Sequence, residues 1–224
     1  MTHLIKNGLF WVAVVVTILS CVYIALLFRI VVNRKPFVFL RPTKTASRSI
    51  ERSLQKINCT KNVEMAPSHD TSPQDYRRKH NAYYIVLRHP YDRALSAFSF
   101  KKQGGEKNDE KGHGDVRFVQ QYDTLENLVE QNPNLTTLPL LNHTTQYKHY
   151  FNHNKKMRPI CYPELQKEWP KVLKELGCDS TQPLLVSNTS NSKKHKLGPK
   201  TKAFIDKHLA KDIEIYEKYC GHLK

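Results

Sequence analysis

The pattern of hydrophobic and polar positions divides the chain near residue 36, because Gly8 to Phe28 carries no charged residue whereas the remainder of the chain is polar and basic. An apolar run of about 20 residues suffices to cross a bilayer core as a helix. The run also lacks the small-residue cleavage pattern of a removable signal peptide. The pattern therefore predicts a short tail over 1–7, a retained transmembrane signal anchor over 8–32, a very short linker over 33–36 and one folded domain over 37–224, held close to the membrane.

Within that domain, Phe37-Val38-Phe39-Leu40 and Tyr83-Tyr84-Ile85-Val86-Leu87 are short continuous apolar runs, the signature of strands buried on both faces. Each runs through a polar turn into apolar residues at helical spacing: Ile50, Leu54 and Ile57 after the first, Leu95 and Phe98 after the second. Lys101 to Asp115 has no periodicity and is rich in Lys, Gly, Glu and Asp, which predicts an exposed loop. Leu125 to Val129 and Glu164 to Leu176, the latter despite Pro170, read as helices, and Thr136 to Leu141 as irregular chain. Gly198-Pro199 opens a last helix with Ile205, Leu209, Ile213 and Tyr216 along one face. Strands alternating with helices predict an α/β domain with a central, mainly parallel sheet flanked by helices.

Charge narrows the partners. A formal net charge of +16 calls for an anion: nucleic acid, acidic lipid headgroups, or a polyanionic substrate with a phosphorylated donor. Arg29, Arg34 and Lys35 after the apolar run, against Lys6 before it, would by themselves keep the domain in the cytosol. Asn-x-Ser/Thr sequons at Asn58, Asn134, Asn142 and Asn188, with Cys59, Cys161, Cys178 and Cys220, favour an oxidising lumen instead. A lumenal domain excludes nucleic acid and leaves donor nucleotide, acidic glycan and membrane surface. The four cysteines allow three pairings, among which the sequence does not choose, and none has zinc-site spacing.

Two segments carry chemistry. Arg41-Pro42-Thr43-Lys44-Thr45-Ala46-Ser47-Arg48-Ser49 lies between a buried strand and a helix. Small hydroxyl residues there let backbone amides approach a phosphate, and Lys44 adds a point charge. The Gly-x-x-x-x-Gly-Lys-Ser/Thr loop of nucleotide-binding kinases is missing. Val86-Leu87-Arg88-His89-Pro90-Tyr91-Asp92-Arg93-Ala94-Leu95-Ser96 is a second strand end running into a helix, with Arg88 and Ser96 spaced to face a crevice at the carboxyl edge of the sheet. An Arg there can grip a phosphate with two parallel hydrogen bonds.

The pair resembles the two donor-binding motifs of the sulfotransferases that use 3′-phosphoadenosine 5′-phosphosulfate (PAPS), especially the Golgi carbohydrate branch. Lys44-Thr45-Ala46-Ser47-Arg48-Ser49 is similar to the Lys-Thr-Ala-Ser-Thr-Ser loop of uronyl 2-O-sulfotransferases, and Arg88 to Ser96 to the family's Arg-x-Pro-x-x-Arg-x-x-Ser segment. Gln146-Tyr147, Tyr162-Pro163-Glu164-Leu165 and the Asp212 to Tyr216 segment follow in the family's order. Thr43, where relatives carry Pro, and Arg48, where they carry a small Thr, depart from the pattern.

The resemblance implies the P-loop-like sulfotransferase fold, a PAPS donor, no metal, and a glycan acceptor that the charge makes an acidic polysaccharide. It implies that the loop from Arg41 through Lys44, Thr45, Ala46, Ser47, Arg48 and Ser49 holds the 5′-phosphosulfate, with Lys44 stabilising the leaving oxygen. Arg88 and Ser96 take the 3′-phosphate, and Lys193 or Lys194 closes over the nucleotide. His69, in Ser68-His69-Asp70-Thr71, is similar to the segment that supplies the general base in related enzymes, with Glu51 and Asp70 in reserve and Asp70 as a candidate to orient the ring. The implied placement is single-pass type II in the Golgi membrane, with the domain in the lumen. Competing readings are a tyrosine-sulfating enzyme and a non-catalytic basic module that binds acidic glycans; a P-loop kinase would need a magnesium ligand set that the sequence lacks.

Overall fold

The structure, a computed structural model, describes residues 14–24, 36–76, 80–105, 113–138, 141, 146–151, 156–186 and 196–223. The chain forms two units, residues 1–35 and 36–224. Of the span expected as an anchor, residues 14–24 are described, and they are helical with exposed side chains such as Val16, Leu19 and Ile24. Among the described residues no helix is long and apolar enough to cross a membrane; the rest of the 8–32 span lies outside them.

The second unit is built on a four-stranded parallel sheet, β1 (Phe37–Phe39), β2 (Val63–Met65), β3 (Ala82–Leu87) and β4 (Met157–Cys161), in the order β2-β1-β3-β4. The two apolar runs form its central pair, with Phe39 opposite Tyr84. Their side chains alternate between two cores. Phe39, Tyr84 and Val86 pack with Ile50 and Leu54 of α1 (Ser47–Lys56) and with Leu165, Trp169 and Leu173 of α6 (Leu165–Glu175). On the other side Val38, Tyr83, Ile85 and Leu87 pack with Tyr147 and Tyr150 of α5 (Tyr147–Phe151) and with Ile215 and Tyr216 of α8 (Ala210–Cys220). A third cluster joins α2 (Pro90–Lys102), α3 (His113–Gln120), α4 (Leu125–Gln131) and α7 (Pro199–His208) through Ala97, Phe98, Val119, Leu128 and Ile205.

Several expectations need correction. Of the exposed loop expected over 101–115, residues 113–115 belong to α3 and 101–102 to α2, which continues through a buried Lys101 to Lys102, whose ammonium donates to the carbonyls of Gln120 (3.0 Å) and Tyr122 (2.7 Å); residues 106–112 lie outside the described residues. The single last helix is two: α7 ends at His208 and α8 starts at Ala210, with Leu209 buried at the break. Leu209 is apolar because it is buried in the third cluster, so the periodicity runs through the bend. The cysteines adopt one of the three open pairings, Cys59–Cys178 and Cys161–Cys220. The first ties the turn after α1 to the end of α6, the second ties the end of β4 to α8.

Candidate active site

Four parallel strands place four loops at one carboxyl edge, where an open parallel sheet binds ligands. Along the strand order β2-β1-β3-β4, that edge presents His69, then Arg41 and Lys44, then Arg88, then Tyr162. Contacts run along the whole row. His69 Nδ1 bonds the carbonyl of Arg41, the Arg88 guanidinium reaches the carbonyl of Lys44 at 3.5 Å, and it lies 4.5 Å from the centre of the Tyr162 ring.

The turn from β1 into α1 is bent sharply, with Lys44 and Ala46 both at φ 65°, a left-handed conformation that costs an L-residue roughly 1–2 kcal/mol. Thr45 is buried and its hydroxyl donates to the carbonyl of Pro42 at 2.7 Å, which locks the bend. The first helical bond runs from Ile50 N to Ala46 O at 3.1 Å; Ala46 supplies no side-chain cap, and the first turn holds no acid. Ser47 and Ser49 are buried, and Arg48 projects from that same first turn. A cation at the positive end of a helix dipole is unfavourable in isolation and favourable beside a bound anion.

Electrostatics of the cluster point the same way. Burial, then the charges of Arg88 and Arg48, lower the Lys44 ammonium to about 8, and the ammonium rests 4.0 Å from the centre of the Phe100 ring. The Nε atoms of Arg41 and Arg88 are buried with no hydrogen-bond partner among the described residues. Converging cations with spare donors fit a phosphate- or sulfate-bearing ligand.

His69 is half-buried after β2. Its partner, the Arg41 carbonyl, can only accept, so Nδ1 carries the proton and Nε2 keeps its lone pair. Burial, joined by the charges of Arg41 and Arg48 and opposed by the hydrogen bond to the Arg41 carbonyl, lowers its pKa below the ordinary histidine value, which favours the neutral ring. Tyr150 Oη donates to the His69 carbonyl and fixes the backbone there. Asp70 does not orient the ring: its carboxylate takes the Ser68 hydroxyl, and the Arg41 carbonyl holds the imidazole instead. Glu51, the other reserve, pairs with Arg41 at 3.2 Å.

The second turn, from β3 into α2, is self-contained. His89 Nδ1 accepts the amide of Tyr91 at 3.2 Å, Pro90 opens the helix, and Asp92 provides an acid in its first turn. Ser96 is buried further along α2. Lys193 and Lys194 lie outside the described residues. Among the described residues no cluster of three or more His, Cys, Asp or Glu could hold a metal ion.

Beneath both turns lies a group the sequence did not single out. Arg93 and Asp212 are each 1 % exposed and pair at 2.9 Å, and Arg93 Nε also donates to the Thr43 carbonyl at 3.3 Å. Losing one partner of such a pair costs roughly 3–5 kcal/mol. Taken alone, Arg93 reads as a surface ion-pair residue; its burial overturns that reading. The signals available were the motif, in which Arg93 is the second Arg of Arg-x-Pro-x-x-Arg-x-x-Ser, and the family order of the segments that hold Tyr147 and Asp212.

The sulfotransferase family model matches residues 21–218, nearly the whole folded unit. No curated protein and no solved structure matches the chain. With a parallel sheet flanked by helices and an edge of converging cations, the chain belongs to the sulfotransferase family and is built for sulfuryl transfer.

Proposed function

We propose that the protein transfers the sulfuryl group of PAPS to a hydroxyl of an acidic glycan. PAPS supplies sulfate on a phosphate leaving group: the acceptor O–S bond forms as the S–O bond to that phosphate breaks. His69 Nε2 takes the proton of the acceptor hydroxyl, while Nδ1–H stays anchored on the Arg41 carbonyl. Lys44 neutralises the charge that develops on the departing oxygen, a contribution that grows in a half-buried site. Residues Arg41 to Ser49 hold the 5′ end of the donor, Arg88 with Ser96 the 3′-phosphate, and Lys193 and Lys194 cover the nucleotide.

The observation that carries this reading is the bond from His69 Nδ1 to the carbonyl of Arg41, the residue that opens the Lys44 loop, which leaves Nε2 with its lone pair. An acidic polysaccharide is the acceptor that suits a net charge of +16. We assign the domain to the Golgi lumen behind a single-pass type II anchor over 8–32. What supports this placement is the uncharged run Gly8 to Phe28, two disulfides, and exposed sequon asparagines Asn58 and Asn134; Asn142 and Asn188 lie outside the described residues.

The test is transfer of radiolabelled sulfate from PAPS by the full chain in detergent, offered desulfated glycosaminoglycans, neutral glycans and tyrosine peptides. Label in a glycosaminoglycan supports the reading. Label in the peptide alone moves the acceptor to protein tyrosine, and heparin binding without transfer to any acceptor makes the chain a non-catalytic glycan binder.

A further inference from the structure

The group beneath the two turns is a bridge between them. Arg93, on α2, donates through Nε to the carbonyl of Thr43, the residue before Lys44. The Arg93 guanidinium lies 4.3 Å from the centre of the Tyr147 ring, and Tyr147 is fully buried. The Tyr147 hydroxyl accepts the Arg88 amide at 2.7 Å and donates to the Arg88 carbonyl at 2.7 Å, so it takes both backbone groups of one residue. Asp212 closes the assembly from α8: Oδ2 holds Arg93 at 2.9 Å and Oδ1 accepts the Tyr147 amide at 2.8 Å. Burial pushes the Tyr147 phenol up to about 12, so the hydroxyl keeps the proton it donates.

We propose that Arg93, Tyr147 and Asp212 are positioning residues that set the spacing between the two donor-phosphate turns, Tyr147 fixing the Arg88 end and Arg93 the Thr43–Lys44 end. The inference rests on PAPS being the donor. All three are buried and act through the turns. Their role is to hold two anion-binding ends at the separation of the two phosphates of one nucleotide, so that binding one phosphate presents the other end in place. Ordering before binding is what such a rigid link contributes to affinity. A charged pair is suited to this because Arg93 has donors for both the Asp212 carboxylate and the Thr43 carbonyl, which no apolar side chain could span.

The two arms of the bridge predict different patterns of loss, one confined to the bisphosphate and one shared by both nucleotides. Tyr147→Phe keeps the ring and removes the bonds to Arg88, and Arg93→Lys keeps a charge for Asp212 and removes the reach to Thr43. Binding of adenosine 3′,5′-bisphosphate and adenosine 5′-phosphate is measured by calorimetry on the full chain, with a melting curve for each variant. Tyr147→Phe is expected to weaken the bisphosphate about 10- to 100-fold, the effect of losing both hydrogen bonds to the Arg88 backbone. It should change the 5′-phosphate by less than about 3-fold, under 1 kcal/mol. Arg93→Lys should weaken both nucleotides, because both use the 5′ turn.

Equal losses for both nucleotides in Tyr147→Phe, or no loss in a folded variant, overturn the proposal. Should Tyr147→Phe not fold, Arg93→Lys decides: wild-type affinity for the 5′-phosphate overturns it. A wild-type chain that binds the two nucleotides equally overturns the donor reading itself, and is recognised before any variant is made.

Discussion

The two strand-to-helix turns at the edge of the sheet meet the same task, holding an anion, by opposite means. The turn into α2 is finished without a ligand: His89 caps it, Pro90 starts it and Asp92 answers the helix dipole. The turn into α1 has no side-chain cap and no acid in its first turn, two left-handed non-glycine residues, and Lys44 and Arg48 crowded together. A turn satisfied in advance can offer only side chains, here Arg88 and Ser96, and makes a grip. A turn whose start gathers cations and holds no acid gains most when negative charge appears beside it, and in sulfuryl transfer that moment is the departure of the leaving group. The contrast supports the proposal that the turn into α1 adds chemistry to its hold on the 5′ end of the donor, while the turn into α2 serves binding alone.

The sharpest way to break this proposal is at His69, the proposed base. His69→Ala is expected to lower kcat by roughly 10²–10⁴-fold with the donor still bound, and a fall in donor affinity of the same size would remove His69 from the chemistry. Next in size is the pH profile of kcat/KM. A histidine with a lowered pKa stays neutral, and so active as a base, until the pH falls through that depressed value, so the acid limb lies below the ordinary histidine range. Lys44 is charged below its pKa and loses its proton as the pH rises through about 8, so activity falls on the alkaline side there. Arg48→Thr removes a charge that lowers Lys44 and should move the alkaline limb upward; an unmoved limb would mean another group sets it.

A smaller effect distinguishes the turns by stability. Ala46→Gly relieves a left-handed alanine and should stabilise the fold by about 1 kcal/mol in denaturant melts. His89→Ala removes a capping acceptor and should destabilise it by roughly the same amount. Loss of stability in both would show that the first turn is no more strained than the second.

How far the sequence anticipates this molecule depends on burial. β1 and β3 are legible because central strands of a parallel sheet are apolar on both faces. β2 and β4 are not, because each is an edge strand: Val63-Glu64-Met65 places an acid in the middle, and Met157-Arg158-Pro159 an arginine and a proline that only an edge tolerates. The motif residues of both turns are likewise readable from local spacing. The partner that sets the tautomer of His69 is a backbone carbonyl 28 residues away, and the bridge from Arg93 to Asp212 spans 119 residues. Contacts of that kind carry no local periodicity, and only the assembled sheet brings them together.

The most direct test of the division of labour measures donor affinity and single-turnover transfer for Lys44→Ala and Arg88→Ala side by side. The account predicts that Lys44→Ala loses roughly 10²–10³-fold in transfer rate at saturating PAPS while most of its donor affinity remains. Arg88→Ala should show the reverse, weak donor binding with transfer largely restored once the donor saturates. If the two variants lose rate and affinity in the same proportion, the turns do not differ in role and the account is contradicted.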